Sequence, residues 1–433
     1  MKNTTYRLVA ALALFPLIST ATIVTTAADE DNGSLGGGSG ISLREAVKYS
    51  GSGSGITFSV SLSGQSIRLT GGSLMIDKSL TIDASALPAG LTLSADRTGN
   101  GKTSDDTYAI LLTGGNLILD SLILTGANCG ESSGCITIKP SGAFVLTLDH
   151  CTLTGNAGYH ASVLYCTDSP ARPTDAITIR NSTITANSVF KGPAVLDVFY
   201  CNLTIQNSTF SQNQAGAISF RSGGPSSAFS ISNSTIIGNP ANFGAGGLFL
   251  DLEYNRPPST VYIHNTICTG NTPANISISP DLTVSGTNNL LTGNPLLAPL
   301  GEYGGPTRTM PPLPGSPAIN AGTTTLTTDQ RGFPRVDTPD IGAVEYYTPA
   351  DFVHTWKSDS DGDGLPFGAE LALGTNPGGA DVGNSRNLTA PVFDPSGHAV
   401  LRFGIGIAAP GTRWILKRSP GLSPGGFTEI ISL

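Results

Sequence analysis

The clearest pattern in the chain is an eleven-residue segment that recurs five times between residues 146 and 271. Each copy opens with two apolar residues separated by one residue, so both apolar side chains point to the same face of an extended strand. The five copies are LTLDHCTLTGN from Leu146, ITIRNSTITAN from Ile177, LTIQNSTFSQN from Leu203, FSISNSTIIGN from Phe229 and VYIHNTICTGN from Val261. A weaker copy, LILDSLILTGA, begins at Leu117. The pattern predicts a series of short strands.

The spacing of the copies predicts how these strands are arranged. Asn181, Asn207, Asn233 and Asn265 occupy equivalent positions and follow one another at intervals of 26, 26 and 32 residues. Strand-rich repeats of this length, with no helical segment between them, are typical of the coils of a parallel β-helix. We therefore predict an all-β protein with a single-stranded parallel β-helix over residues 56–345.

Asparagine occupies two positions of the repeat, and each position has a predicted role. We expect Asn181, Asn207, Asn233 and Asn265 to point inward and to form a structural ladder of hydrogen bonds between stacked coils. The second position should lie in turns, because asparagine tolerates left-handed backbone angles; its members are Asn156, Asn187, Asn213, Asn239 and Asn271. Asn181, Asn207 and Asn233 also begin N-x-S/T sequons, but their recurrence at one coil position favours the ladder over glycosylation.

The first 55 residues have a different character. Lys2 and Arg7 precede a short apolar run and the small residues Ser19 and Ala21, a pattern typical of a secretory signal peptide over residues 1–21. No later apolar stretch reaches the length of a transmembrane helix, so we expect a secreted or cell-surface protein. In residues 22–55, the sequence SLREAV contains a capping box that predicts a short helix closing the first coil.

Composition and charge exclude two classes of protein. Charged residues make up 12% of the 433 residues, which is too few for a coiled coil or a mostly helical protein. The formal net charge is −8 and the pI is about 5.1, so the chain has no basic surface for nucleic-acid phosphates.

Six cysteines allow disulfides in an exported chain, and the number of possible pairings leaves the connectivity open. Two spacings favour particular pairs. Cys129 and Cys135 flank a short Gly- and Ser-rich loop, and Cys166 and Cys201 lie about one coil apart. Cys268 occupies a core-facing position of the repeat and is expected to be a buried thiol.

Residues 316–345 contain several acids and the arginines Arg331 and Arg335. A catalytic set is one interpretation. We favour a closing cap, in which the arginines pair with Asp329, Asp340 and Glu345, because buried charges need partners.

A possible metal site follows in a linker over residues 346–384. Oxygen ligands fall at positions one, three, five, seven and twelve of a loop, with glycine at position six; they belong to Asp359, Asp361, Asp363, Leu365 (through its carbonyl) and Glu370. This is the ligand spacing of an EF-hand-type calcium loop. We therefore predict calcium as the cofactor, with a bare acidic linker as the alternative. Residues 385–433 are predicted to form a small β domain, which serves in sorting or is cut short by the end of the sequence.

Three segments resemble known families. The sequence GSGISLREAV resembles the CSLREA-type segment of exported bacterial β-helix proteins, with Ile41 where that pattern has cysteine. NNLLTGNPLLAPLGEYGGPTRTMPPLPGSPAINAG followed by DQRGFPRVDTPDIGAVE resembles the closing part of the choice-of-anchor Q family, and residues 359–370 are similar to thrombospondin type 3 repeats. The resemblance implies a bacterial surface or secreted protein with a right-handed β-helix.

Function is a separate question, because β-helices serve both as enzymes and as binding proteins. Aromatic and charged residues concentrate in three inserts, 159–172, 198–200 and 249–256, which we expect to line a strip that binds an extracellular glycan or surface protein. The main acids of the coil region do not recur at aligned positions beside a His or Arg partner; they are Asp149, Asp168, Asp175, Asp197, Asp251 and Glu253. We therefore favour an adhesin-like module with no catalytic residues, the alternative being a pectate-lyase-like polysaccharide lyase or a glycoside hydrolase. The oligomeric state is not indicated.

Overall fold

The computed structural model describes residues 21–99, 109–129, 134–166, 172–223, 227–253 and 255–347, together with four short strands between residues 392 and 432. The signal peptide and the calcium loop predicted above lie outside the described residues. The chain divides into two compact units, residues 1–351 and 352–433.

Three parallel sheets form the body of the first unit, and the chain visits them in the order 1, 2, 3 in every coil. Sheet 1 contains β1 (Thr22–Val24), β2 (Ser54–Phe58), β5 (Leu80–Asp83), β8 (Gly115–Asp120), β12 (Phe144–Asp149), β16 (Ala176–Arg180), β20 (Asn202–Gln206), β23 (Phe229–Ser232), β26 (Ser259–His264) and β29 (Leu282–Ser285). Sheet 2 contains β3 (Ser66–Arg68), β6 (Leu91–Ser94), β9 (Leu122–Thr125), β13 (Thr152–Thr154), β17 (Thr183–Thr185), β21 (Thr209–Ser211), β24 (Thr235–Ile237) and β27 (Ile267–Thr269).

Sheet 3 contains β4 (Leu74–Ile76), β7 (Ile110–Leu112), β11 (Ile136–Ile138), β15 (Leu164–Cys166), β19 (Ala194–Phe199), β22 (Gly216–Ser222), β25 (Leu248–Leu252) and β28 (Ile276–Ile278). A small parallel sheet between sheets 2 and 3 contains β10 (Asn128–Cys129), β14 (Ala157–Gly158) and β18 (Ser188–Val189). The coils form a right-handed parallel β-helix, which confirms the predicted fold class.

The repeat explains why the coils stack in one register. Ile177, Leu203 and Phe229 pair in sequence across β16, β20 and β23, and each of them is at most 1% exposed. Equivalent apolar residues therefore lie above one another along the axis and form one continuous core. A shift by one residue would turn this whole set of side chains toward solvent, so the alternating pattern fixes the register.

The asparagine ladder exists, but it is built from the second asparagine of each repeat. The Nδ2 group of Asn187 donates to Oδ1 of Asn213 at 3.0 Å, and Nδ2 of Asn213 donates to Oδ1 of Asn239 at 2.9 Å. Asn156 and Asn271 extend the same ladder on either side. All five side chains are buried, and each also bonds a backbone carbonyl.

The first asparagine of each repeat has the role predicted for the second, so the predicted assignment is wrong in this respect. Asn181, Asn207, Asn233 and Asn265 have φ angles between 44° and 52° and form the left-handed corner between sheets 1 and 2. A single left-handed residue turns the chain sharply between two strands, and asparagine accepts this backbone conformation at low cost. The side chains of Asn207, Asn233 and Asn265 bond to a later part of the chain, whereas the Asn181 side chain donates to Asp149 at 2.8 Å.

That later part is the return segment, which we define as residues 286–347. The strands of the β-helix end at Ser285, so the coil region is shorter than the predicted span of 56–345. The return segment contacts successive corners: Asn207 donates to the Thr328 carbonyl at 3.0 Å, and Asn265 donates to the Asp340 carbonyl at 2.8 Å. Gln330 is fully buried and reaches two coils, through Thr183 and Thr209.

The charged residues of the return segment pair with one another, as the cap interpretation predicts. Arg331 contacts Asp329 at 2.7 Å, and Arg335 contacts Glu345 at 3.1 Å. Burial, followed by the nearby charge of Asp340, raises the pKa of Glu345 to about 7. Both pairs lie within the return segment, and Arg335 also donates to Oδ1 of Asn207 at 3.2 Å, which links the segment to a corner.

The opposite end of the β-helix is closed by α1 (Leu43–Tyr49), and a short 3-10 helix, Val60–Leu62, follows in the next coil. The capping box is present, because the Ser42 side chain accepts from the Glu45 amide and the Glu45 side chain accepts from the Ser42 amide. Leu43, Ala46 and Val47 are buried against the first coil. The helix therefore covers apolar side chains at an end where the stack of coils would otherwise be open.

In the second unit, the described residues form two antiparallel strand pairs, and the small β domain stays a prediction. The strands β30 (Val392–Phe393) and β31 (Ala399–Val400) pair with each other, as do β32 (Ile415–Arg418) and β33 (Thr428–Ser432).

The ladder can be tested with the variant Asn213→Leu. We expect a loss of about 3 kcal/mol in the free energy of unfolding, because buried amide and carbonyl groups on two neighbouring coils lose their partner. Asn116→Leu on the exposed face of β8 is the matched control and should change stability by less than about 0.5 kcal/mol. Urea denaturation of the three proteins measures the difference, and equal midpoints for Asn213→Leu and the control would show that the ladder does not hold the coils together.

Candidate functional site

The outer face of sheet 3 carries a row of unlike side chains at one register position. Tyr165, Asp197, Ser219 and Phe249 pair in sequence across β15, β19, β22 and β25. Their neighbours in the strands face the core, and Leu196 and Val198 on either side of Asp197 are fully buried. The alternation of the strand therefore directs this row away from the core.

A second row lies two residues further along the same strands. Phe199, Arg221 and Asp251 occupy equivalent positions on three neighbouring coils. The Arg221 guanidinium lies 5.0 Å from the centre of the Phe199 ring, and its Nε is 3.1 Å from Oδ2 of Asp251. Arg221 thus joins an aromatic ring on one coil to a carboxylate two coils away.

The turns on both sides of sheet 3 add further aromatic and polar groups. His160 stacks on Tyr165, with ring centres 5.7 Å apart and an angle of 11° between the planes. On the other side, Tyr200 packs edge-on against Phe199 and donates from its hydroxyl to Glu253 at 3.1 Å. We call the surface formed by these residues the sheet 3 strip; its members are Tyr159, His160, Tyr165, Asp197, Phe199, Tyr200, Ser219, Arg221, Phe249, Asp251, Glu253 and Arg256.

The structure therefore brings together residues from all three inserts in which the sequence predicts a binding strip. Phe243 adds an aromatic ring that the sequence reasoning missed, since it is 61% exposed and packs against Phe249 at 5.5 Å. Phe243 is an isolated aromatic residue among Gly and Asn in the turn before β25, so no aromatic pattern in the sequence indicated it. Residues 167–171 and 254 of the inserts, including Asp168, lie outside the described residues.

Asp197 lies at the bottom of the sheet 3 strip. It is 4% exposed, and burial raises the pKa of its carboxyl group to about 6, although a hydrogen bond with Ser219 and the charge of Arg221 both oppose this rise. A carboxyl group with this pKa holds a proton in mildly acid solution, which an exposed aspartate does not.

The cations of the strip have carboxylate partners. Arg256 contacts Glu253 at 2.6 Å, and Arg221 contacts Asp251 as described above. The hydrogen bond from Arg256 is the largest influence on Glu253 and lowers its pKa, so Glu253 stays ionised at neutral pH. The two arginines are thus balanced by two carboxylates.

A second polar cluster lies at the corner between sheets 1 and 2. Asp120 and Asp149 pair across β8 and β12, and Arg180 follows at the same position of β16. The His150 Nδ1 atom is 3.2 Å from Asp149 and 3.6 Å from Asp120. The expectation that no acid of the coil region aligns beside a His or Arg partner is therefore wrong.

The sequence contained the signal for this cluster, because the weak copy LILDS and the strong copy LTLDH place an aspartate at the same position. One atom from each of Asp120, Asp149 and His150 lies within 4.8 Å of the others, a spacing that suits a metal ion. However, both oxygens of Asp149 already accept strong hydrogen bonds, at 2.7 Å from Arg180 and 2.8 Å from Asn181. Burial alone would lower the pKa of His150, but a hydrogen bond with Asp120 and the charges of both aspartates raise it. Because Arg180 and Asn181 already occupy both oxygens of Asp149, the cluster is better described as a network of ion pairs and hydrogen bonds than as a metal site.

Five cysteines are described, and all of them are buried: Cys135, Cys151, Cys166, Cys201 and Cys268. Cys268 is a core thiol, as predicted. Cys166 and Cys201 are adjacent as thiols, with Sγ atoms 3.9 Å apart. The side chain of Cys129 lies outside the description, so its pairing with Cys135 stays a prediction, as does calcium binding by residues 359–370.

A comparison with protein-family models agrees with the fold. Residues 134–307 match the family model described as "Right handed beta helix region". No curated protein matches the sequence. The crystal structure of pectate lyase Pel9A is similar over 76% of this chain and 97% of its own, with 14% identity and a TM-score of 0.36, and no conclusion about activity follows from this similarity. Within the residues that the structure describes, no helix is long and apolar enough to cross a membrane.

The raised pKa of Asp197 predicts a pH effect on stability. Asp197 binds a proton more readily in the folded protein than in the unfolded one. Its contribution to stability is therefore fully present below the unfolded pKa of about 4 and is lost as pH rises through about 6.

The variant Asp197→Asn isolates this effect, because asparagine keeps the shape of the side chain and does not titrate. We expect the stability of the wild type, relative to the variant, to fall by about 2 kcal/mol between pH 4 and pH 7. Urea denaturation at several pH values measures this difference. A constant difference across the range would place the pKa of Asp197 near that of an exposed aspartate.

Proposed function

We propose that the protein is an adhesin-like surface module that binds an extracellular glycan along the sheet 3 strip. The observation that carries the proposal is the concentration of Tyr165, Phe199 and Phe249 on one face of sheet 3, with Tyr200 in the adjoining turn, interleaved with hydrogen-bonding groups. Aromatic rings present apolar faces on which the C–H faces of sugar rings pack, while carboxylates and hydroxyls bind sugar hydroxyls.

The spacing of the coils favours an extended glycan lying parallel to the axis. Neighbouring strands of a sheet are about 4.8 Å apart, a distance comparable with the length of one sugar unit in an extended polysaccharide. Each successive coil then meets a successive sugar unit. The four coils that contain β15, β19, β22 and β25 each supply at least one aromatic or charged residue to the sheet 3 strip.

The balance of charge favours a neutral glycan over an acidic one. Arg221 and Arg256 are both paired with carboxylates at 3.1 Å or less. An acidic polysaccharide would have to displace Asp251 or Glu253 to reach these guanidinium groups, and it would then face the displaced carboxylate. A neutral sugar chain bonds to the same groups without breaking either pair.

Glycan cleavage is the alternative function, and one observation favours it. A carboxyl group with a pKa of about 6, such as that of Asp197, is suited to protonate the oxygen of a glycosidic bond. Yet Asp197 is 4% exposed and already bonds Ser219, so it offers little surface to a substrate. Binding without cleavage therefore has the stronger support, and an assay for reducing ends and unsaturated products tests the alternative.

Two further parts of the proposal concern location and calcium. The charged and apolar pattern of residues 1–21 supports export by a signal peptide, and the resemblances described above support a secreted or cell-surface protein of a bacterium. The spacing of Asp359, Asp361, Asp363 and Glu370 supports calcium binding in the linker predicted over residues 346–384.

The binding proposal predicts the effect of removing one aromatic ring. Tyr165→Ala should weaken binding of a neutral oligosaccharide, chosen by glycan-array screening of the full chain, by about tenfold or about 1.4 kcal/mol. The matched control is Tyr262→Ala, because Tyr262 is an aromatic residue on the outer face of sheet 1 and is 39% exposed. Isothermal titration calorimetry gives the three affinities. An equal loss of affinity in both variants, or no loss of affinity in Tyr165→Ala, would place the glycan on another surface.

The calcium proposal predicts heat released on titration with calcium chloride. We expect binding with a Kd of about 10⁻⁴–10⁻³ M, as for other extracellular sites with all-oxygen ligands. Asp361→Ala should abolish this heat, whereas Asp281→Ala, at an exposed acid of the first unit, should leave it unchanged. Equal heats of calcium binding in the wild type and both variants would show that calcium binds at another site.

A further inference from the structure

The thiols of Cys166 and Cys201 lie next to each other in the core. Their Sγ atoms are 3.9 Å apart, and both residues are 0% exposed. We infer that these two residues form a disulfide that joins two neighbouring coils beside the sheet 3 strip. The inference does not depend on what that strip binds.

The path of the chain explains why these two cysteines meet. Cys166 is the last residue of β15, and Cys201 is the residue immediately before β20. Both therefore lie at the corner where the chain passes from sheet 3 to sheet 1, on consecutive coils. Because equivalent corners of a β-helix stack along the axis, two residues far apart in sequence are brought into side-chain contact.

Cys151 and Cys268 have different surroundings. The Cys151 thiol donates to the carbonyl oxygens of Leu119 and Asp149, and the Cys268 thiol donates to the carbonyl oxygen of Asn275. Burial raises the pKa of both thiols to about 12. These two residues are protonated core thiols, and their reactivity is low because the thiolate is the reactive form.

The bond would form before the corner is fully packed, because a disulfide oxidant cannot reach two buried sulfurs. The thiolate of one cysteine attacks the disulfide of an oxidised dithiol protein, which gives a mixed disulfide and releases one thiolate of that protein. The thiolate of the second cysteine then attacks the sulfur of the first cysteine in this mixed disulfide. The attack releases the other thiolate of the oxidant. The two cysteine sulfurs are oxidised, the oxidant is reduced to a dithiol, and the protons pass to its thiols.

The cross-link would restrain a corner that contributes to the sheet 3 strip. Tyr200 precedes Cys201 and has a left-handed backbone with φ of 61°. Its hydroxyl bonds Glu253, and its ring packs on Phe199 at 5.8 Å. A disulfide at the next residue therefore limits movement of one side of the strip.

Peptide mapping of the full chain tests the inference. The protein is exported to an oxidising compartment, purified without reductant, and alkylated with iodoacetamide in denaturant before digestion. We expect a cross-linked peptide that contains both Cys166 and Cys201 and disappears on reduction, while Cys151 and Cys268 are alkylated. Alkylation of both Cys166 and Cys201 before reduction, or a cross-link from either to another cysteine, would overturn the inference.

Thermal unfolding with and without dithiothreitol gives an independent measurement. Reduction should lower the midpoint of the wild type by about 5 °C, because the unfolded chain regains freedom. The double variant Cys166→Ala, Cys201→Ala should not respond to reductant, whereas the control Cys151→Ala should respond like the wild type. The same response in the double variant as in the wild type would assign the reducible bond to other cysteines.

Discussion

The fold depends on hydrogen bonds that pass from one coil to the next at the same position. Strands of sheets 1, 2 and 3 pair in parallel, and the buried ladder from Asn156 to Asn271 repeats the same bonds between side chains at one corner. An amide group serves this role well, because it donates and accepts at once and so satisfies its neighbours above and below. A buried amide without such a neighbour would lose stability, so each coil requires the register of the next.

This constraint leaves the outer faces free to vary. Side chains that point out from sheet 3 are not required for stacking, so β15, β19, β22 and β25 carry Tyr, Asp, Ser and Phe at one register position. The corners between sheets 1 and 2 are used differently, because the return segment covers them and bonds their asparagines. Sheet 3, with turns on both sides, is therefore the surface on which we place binding.

Repetition made much of the fold predictable from sequence. The spacing of apolar residues predicted the strands and their parallel stacking, and the Ser42 and Glu45 pair predicted the capping helix. The two asparagine positions were interchanged, because asparagine suits both a left-handed corner and a buried hydrogen-bonded ladder, and the composition of the repeat does not distinguish them. The end of the coils at Ser285 was also missed, since the sequence does not show that the return segment runs back along the corners and forms no further coil.

The site was predictable in part. Local concentration of aromatic residues indicated the strip, but the pairing of Arg221 with Asp251 depends on coil register and not on nearness in sequence. The aligned Asp120 and Asp149 were visible in the repeat, yet their contacts with Arg180 and His150 required three-dimensional positions. The depth of Asp197, and hence its raised pKa, follows from side chains contributed by neighbouring coils.

Hydrogen–deuterium exchange of the full chain, with and without a neutral oligosaccharide selected on a glycan array, tests the central claim most directly. Binding along the sheet 3 strip predicts slower exchange in β15, β19, β22, β25 and the turns beside them, with sheets 1 and 2 unchanged. Slower exchange confined to the return segment or to sheet 1 would contradict the account, as would failure of the protein to bind any glycan on the array.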